Sequence, residues 1–266
     1  MRRVFRTLLA GLVASAALQA QDPQRRFTLD NGLPVLLQED PGSPLFRARL
    51  RLALRPGDQP PSQAGLQALF LRMLDGGLAG HLSPAAFDAA LDDAGLRLSR
   101  RVTAEAITWD LVARSRDQDR AMALLADRVL RPILDPARLE AQRLACWRAE
   151  EAARLDPATR LQRVLDGGVP APPTEQGLGP LTLRDLEAFR GRVFRPSRAT
   201  LVLAGDLGLE QAKALVWLSF GTWSDGAARW PSASRQAPSW LARGSRRLTT
   251  RSASQAALAR SRSAWP

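Results

Sequence analysis

His81 and Cys146 are the single histidine and the single cysteine of this 266-residue chain. Zinc centres in proteins take three or four ligands, mostly imidazoles and thiolates, and a hydrolytic serine usually takes its base from a histidine. The sequence therefore offers a poor set of groups for either chemistry. We expect His81, in a predicted loop, to be solvated, and Cys146, in a predicted helix, to be a small buried side chain without a disulfide partner.

Other catalytic and binding classes also lack their signatures. The sequence has no Gly-x-Ser-x-Gly elbow, no phosphate-binding glycine loop and no evident pair of catalytic carboxylates. The formal net charge is +12, but eight arginines lie after residue 226 and three lie among the first six residues. Because the residues between carry almost no net charge, the high isoelectric point does not indicate a nucleic-acid partner.

Composition divides the chain into three parts. Residues 1–20 carry early arginines, then an apolar run and small residues, which predicts a secretory signal peptide and an exported, most simply periplasmic, protein. Residues 21–226 form one predicted folded domain. Residues 227–266, rich in arginine and serine, are predicted to be a linker or the start of a second domain, with a weak strand signal at 255–258. No later segment is long and apolar enough to be a membrane anchor.

Hydrophobic periodicity predicts an α+β fold in two layers, with a mostly antiparallel sheet covered by helices. Asn31-Gly32 predicts a two-residue hairpin turn, and Ser62, Ser83 and Thr182 are predicted helix caps. Strands are predicted at 27–29, 34–39, 46–54, 96–102 and 106–113, with a buried strand and turn at 200–206. Helices are predicted at 62–74, 84–94, 117–130, 135–155, 157–165, 182–194 and 209–218, with a Pro/Gly-rich loop at 167–179.

Short motifs between residues 27 and 223 occur in the order and at the spacing of a known family. They include Leu29-Asp30-Asn31-Gly32-Leu33-Pro34-Val35, Gly65-Leu66 with Met73-Leu74, Asp156-Pro157, the run from Arg195 to Asp206, and Phe220-Gly221-x-Trp223. This order resembles the insulinase/pitrilysin-like zinc metallopeptidases, which include the mitochondrial processing peptidases. The resemblance implies a processing-peptidase-like half-domain.

The family's catalytic motif is degenerate in this chain. Where the family has Gly-Leu-x-His-x-x-Glu-His-Met, residues 65–73 place Ala68 and Arg72 at the two histidine positions and Leu71 at the position of the catalytic base. A methyl group, a guanidinium and an isobutyl group neither bind zinc nor accept a proton. The resemblance thus implies no catalytic residue, no metal and no cofactor.

The family's downstream glutamate ligand corresponds to Glu150 or Glu151. We expect the carboxylate at that position to be an exposed helix charge or the salt-bridge partner of Arg72, rather than a metal ligand.

Four functional hypotheses follow from the sequence. The favoured one is an exported, catalytically inactive metallopeptidase homologue that pairs with an active zinc subunit or binds an extended peptide along its sheet edge. The second is a truncated product of a two-domain gene. The third is a zinc-dependent endopeptidase with unusual ligands, and the fourth is a binder of anionic surfaces acting through the basic tail.

Overall fold

The computed structural model describes residues 24–165 and 172–225. The strands are β1 Gln24–Thr28, β2 Pro34–Glu39, β3 Leu45–Ala53, β4 Leu78–Ala79, β5 Arg97–Val102, β6 Ala106–Arg114, β7 Pro132–Ile133 and β8 Ala199–Gly205. The helices are α1 Leu66–Gly76, α2 Pro84–Asp93, α3 Gln118–Leu130, α4 Leu139–Leu155, α5 Pro157–Leu165, α6 Glu175–Leu178, α7 Leu183–Val193 and α8 Leu209–Phe220. The predicted signal peptide, the predicted strand at 255–258 and the tail at 227–266 lie outside these ranges.

Six strands form one sheet in the order β1-β2-β8-β3-β6-β5, and β4 pairs with β7 in a separate two-stranded ladder. Within the large sheet the β2–β8 pair is parallel, and the other four pairs are antiparallel. The predicted α+β class, with a mostly antiparallel sheet, is therefore confirmed.

Strand β3 shows why the sheet has one covered face. Phe46, Ala48, Leu50 and Leu52 are buried, whereas the arginines between them are exposed. Side chains alternate between the two faces of a strand, so one face of the sheet meets the helices and the other carries charge. The predicted alternation of this strand is confirmed.

An aromatic cluster joins the two layers. The ring of Trp109, on β6, lies 5.9 Å from that of Phe194, which lies 5.1 Å from Phe70 on α1. Phe70 also lies 5.4 Å from Phe189 on α7. Buried aromatic side chains contribute large apolar areas and favour such tilted or edge-on contacts. The cluster fixes α1 and α7 against the sheet.

The turn between β1 and β2 differs from the predicted two-residue hairpin. The Leu29 N–H donates to the Leu33 carbonyl at 3.0 Å, so three residues form the loop, and Gly32 has a positive φ, 85°. Asn31 has another role, because its amide donates to the carbonyls of Phe220 and Trp223 at 2.8 and 2.9 Å. The Asn-Gly pair therefore ties the hairpin to the end of α8.

Two other local predictions need correction. Ser62 lies in a short 3-10 turn, and α1 begins after Gly65 without a side-chain cap. The segment 167–179 was predicted to be a loop, but it contains α6, capped by the Thr174 hydroxyl, which accepts from the Gly177 N–H at 3.0 Å. The predicted caps Ser83 and Thr182 are confirmed.

Candidate functional site

The start of α1 is fixed by a close approach of three chain segments. Gly65 has φ of 94°, and a Cβ atom there would lie 2.8 Å from Leu178 Cδ2 and 2.9 Å from Pro173 Cα. Only glycine adopts this conformation readily and leaves that space. Gly65 thus positions the helix on which the degenerate motif lies.

Helix α1 carries the three motif positions within one turn, and they differ in burial. Leu71, at the position that the resemblance assigns to the catalytic base, is 4% exposed and belongs to the hydrophobic core. Ala68 and Arg72 are half-buried, and their separation of four residues puts them on one face of the helix. Arg72 contacts Cys146 on α4, so this face of α1 lies against α4.

Helix α4 contributes Cys146 and Glu150, which are also four residues apart. They are 2% and 4% exposed. We call Ala68, Arg72, Cys146 and Glu150 the α1–α4 site. The buried state predicted for Cys146 is confirmed, whereas its contact with Arg72 was not predicted.

Glu150 is held by two arginines. Arg163, on α5, donates from both terminal nitrogens, at 3.0 Å to Oε1 and 2.8 Å to Oε2, and Arg154 Nε lies 3.3 Å from Oε1. A bidentate guanidinium–carboxylate pair is strong and directional. It also offsets the cost of burying the carboxylate charge. The glutamate oxygens that could bind a metal are therefore engaged by cations.

Both expectations for the downstream carboxylate are wrong for Glu150. It is buried rather than exposed, and its partners are Arg163 and Arg154 rather than Arg72. Glu151 fits the first expectation, since its side chain is 48% exposed and makes one surface ion pair with Arg154 at 3.2 Å.

The electrostatics of Cys146 oppose thiolate chemistry. Burial raises the pKa of the Cys146 thiol, and the negative charge of Glu150 raises it further. Arg72, which hydrogen-bonds to the sulfur, lowers the pKa but does not cancel the rise. Since the thiolate is the nucleophilic and metal-binding form, this environment keeps the sulfur in its unreactive state.

The residues present do not fit a zinc ion. Arg72 brings a positive charge to one ligand position, Ala68 has no donor atom, and Glu150 is already paired. Within residues 24–165 and 172–225, no group of three or more His, Cys, Asp or Glu side chains is arranged to hold a metal. His81 is exposed in the turn between β4 and α2, near Asp127, and takes no part in the α1–α4 site.

The edge strand β5 lies beside the end of α1. Arg100 of β5 pairs with Asp75 of α1 at 2.7 Å. The Thr103 N–H donates to the Ala106 carbonyl at 2.9 Å, and β5 and β6 continue in the same register. Because hydrogen-bonded and non-bonded pairs alternate along antiparallel strands, the N–H and C=O groups of Leu98, Arg100 and Val102 point away from β6. In the sheet as described, β5 is a terminal strand that offers these groups outward.

Comparison with solved structures supports the fold. A peptidase M16 inactive domain from Pseudomonas fluorescens aligns with a TM-score of 0.65 and 21% identity, over 76% of this chain and 51% of that chain. A protease from Helicobacter pylori aligns with the same TM-score and 15% identity, over 81% of this chain and 54% of that one. The described part of the chain therefore has a peptidase-M16-like fold.

The similarity to these two structures covers only part of their length. This chain spans about half the length of both solved structures. No protein-family model matches the chain, and no curated protein matches it. The structural likeness thus establishes the class of fold, and function has to be argued from the site.

Sequence reasoning identified part of the α1–α4 site. The resemblance gave Ala68 and Arg72, with Glu150 or Glu151, as corresponding positions, and the structure buries Glu150 on α4, the helix that Arg72 contacts from α1. Arg163 was not identified, because its approach to Glu150 depends on how α5 folds back after Asp156-Pro157. The spacing of Cys146 and Glu150 could have indicated that both lie on one helix face.

Proposed function

We propose that the chain is a catalytically inactive member of the insulinase/pitrilysin-like metallopeptidases that binds extended peptides. The observation that carries this proposal is the state of the α1–α4 site. A guanidinium stands at a ligand position, and the remaining carboxylate is clamped by Arg163 and Arg154. A zinc ion at this place would have to displace these cations and would find no imidazole.

The binding surface that we propose is the outer edge of β5. An extended peptide can add to such an edge as a further strand, with its main chain hydrogen-bonded to the edge strand. Leu98, Arg100 and Val102 supply the outward groups for this pairing. Arg100 of this strand pairs with Asp75, near the end of α1, so a peptide bound at the edge would lie on a strand joined to the helix that carries the degenerate motif.

The test is a proline substitution that affects the edge but not the ladder. Leu98→Pro removes an outward N–H without breaking a β5–β6 hydrogen bond, a position where proline is tolerated. We expect about a tenfold loss of affinity for fluorescein-labelled casein, an unfolded probe, measured by fluorescence anisotropy.

A matched control lies on the opposite edge of the sheet. The Leu29–Leu33 hydrogen bond and the β1–β2 register place the N–H of Arg26 outward from β1, so Arg26→Pro makes the same change there. Binding that survives Arg26→Pro and is lost in Leu98→Pro supports the β5 edge. An equal loss in both variants, or no saturable binding by the unmodified chain, overturns the proposal.

The proposal extends to location and partner. We propose that the chain is exported, most simply to the periplasm, and pairs there with a zinc-bearing subunit that performs the cleavage. A chain that binds peptide but whose α1–α4 site does not fit zinc gains a role in proteolysis through such a partner. Crosslinking in intact cells followed by mass spectrometry tests this. Recovery of a His-x-x-Glu-His relative supports the pairing, and its repeated absence contradicts it.

A further inference from the structure

A second region of the molecule carries a cluster of arginines that has no part in the proposed peptide binding. A cavity of about 410 Å³, widely open to solvent, lies where the turn after β3 meets the end of α7 and the start of β8. Its lining includes four arginines and one acid, namely Arg55, Arg192, Arg195, Arg198 and Asp58. The cavity shares no residue with the α1–α4 site or with β5.

One side of the cavity is a rigid turn. The Asp58 N–H donates to the Arg55 carbonyl at 3.1 Å, and Gly57, after Pro56, has φ of 95°. Proline followed by a residue of positive φ is the pattern of a type II turn. The Asp58 carboxylate in turn accepts from the Arg55 N–H at 2.7 Å. The backbone that carries Arg55 is therefore fixed before any ligand arrives.

The negative charge of Asp58 is neutralised by an ion pair with Arg198. Arg198, whose side chain is 7% exposed, donates to both carboxylate oxygens and also to the carbonyls of Ala53 and Arg192. Burial, the largest single influence, raises the pKa of Asp58, but the hydrogen bonds from Arg198 and from the Arg55 N–H, with the nearby arginine charges, outweigh it and hold the pKa below its usual value. Asp58 and Arg198 therefore cancel each other.

Three arginine charges remain on the lining without a carboxylate there to balance them. Arg192 donates to the Asp58 carbonyl at 3.1 Å, and Arg195 donates to the Gly191 carbonyl at 2.6 Å. Neither carbonyl carries a formal charge, and both side chains keep further donors. Asp225 and Glu105 lie on neighbouring segments, since Asp225 accepts from the Ser197 N–H at 3.2 Å and the Glu105 carbonyl accepts from the Leu54 N–H at 2.7 Å. Even with both acids counted, the three arginines leave an excess of positive charge.

We propose that this cavity binds a phosphate group through Arg55, Arg192 and Arg195. Planar guanidinium groups donate in parallel pairs to the oxygens of phosphate, and the negative charge of phosphate complements the excess positive charge. The phosphate can come from inorganic phosphate or from a small phosphate ester. The cavity volume leaves space for a small organic part beside the phosphate.

Isothermal titration calorimetry on the full chain tests this proposal and separates the two sources. Inorganic phosphate and glycerol phosphate are titrated separately, with sodium chloride at equal ionic strength as the blank. Saturable binding of either one supports a phosphate site, and tighter binding of the ester identifies an ester as the ligand. Absence of saturable binding by both overturns the proposal.

Charge-matched variants distinguish the cavity from general attraction. Arg55→Gln/Arg192→Gln removes two cavity charges, whereas Arg47→Gln/Arg51→Gln removes two exposed charges from the open face of β3. We expect the first variant to lose about a hundredfold in affinity, or about tenfold for each arginine, and the second to bind as the unmodified chain does. Thermal unfolding shows whether each variant folds. Equal affinities in the two folded variants would contradict the proposal.

Discussion

The buried pair of Glu150 and Arg163 decides what the α1–α4 site can do at the scale of single residues. A lone buried carboxylate is costly unless it is paired and hydrogen-bonded. In this chain Arg163 and Arg154 pair with the Glu150 carboxylate, whereas Arg72 contacts Cys146, one turn earlier on α4. The same glutamate that could complete a zinc site therefore acts as a structural anchor between α4 and α5.

Removal of Arg163 is expected to destabilise the fold. Arg163→Gln takes away the bidentate partner of Glu150 but leaves Arg154, so we expect a loss of roughly 1–3 kcal/mol in the free energy of unfolding. Urea denaturation measures this loss. Arg160→Gln, an exposed position on the same helix, is the control and should change stability by less than about 0.5 kcal/mol.

A double-mutant cycle with Glu150→Gln makes this test specific to the pair. If the pair is the cause, Glu150→Gln costs less in the Arg163→Gln background than in the unmodified chain. Purely additive effects, or equal losses for Arg163→Gln and Arg160→Gln, would show that the pair does not anchor α5.

The placement of α1 is the main question at the scale of secondary-structure elements. Its start depends on Gly65, where α6 and Pro173 come so close that a side chain would collide. Gly65→Ala combines an unfavourable positive φ with overpacking, and we expect it to destabilise the chain by about 2–4 kcal/mol.

Gly191 in α7 provides a control of opposite sign. A Cβ atom there meets nothing within 4 Å, and alanine is a better helix former than glycine by about 1 kcal/mol. Thermal unfolding should therefore show a lower midpoint for Gly65→Ala and an unchanged or higher midpoint for Gly191→Ala. A similar shift in both variants would contradict the role assigned to Gly65.

Elements whose pattern is local were predictable from the sequence. The alternation in β3, the Ser83-Pro84 start of α2 and the Thr182 cap of α7 all depend on neighbouring residues, and each is confirmed. The start of α1 was predicted wrongly because Gly65 owes its role to contacts with residues more than 100 positions away. The turn at Asn31 was mispredicted for the same reason, since its side chain binds the end of α8.

At the scale of the whole molecule, the fold is that of a peptidase, whereas the residues of the α1–α4 site do not fit the zinc ion that a metallopeptidase needs. The sheet and helices are those of a peptidase-M16-like fold, as the two solved structures show. The sequence predicted this architecture, and it also predicted that the residues at the degenerate motif are unsuited to binding zinc. It could not show the pairing of Glu150 with Arg163, because that depends on how α5 folds back after Asp156-Pro157, or the arginine-lined cavity, because residues 55–58 and 192–198 are distant in the chain. Among the described residues, no helix is both long and apolar enough to cross a membrane.

The most direct test of the central claim is the zinc content of the purified full chain. The protein is incubated with equimolar zinc, separated from free metal by gel filtration and analysed by inductively coupled plasma mass spectrometry. Since the α1–α4 site has no imidazole and its carboxylate is paired, we predict less than about 0.1 zinc ion per chain. A retained content of about one zinc ion per chain would contradict the account.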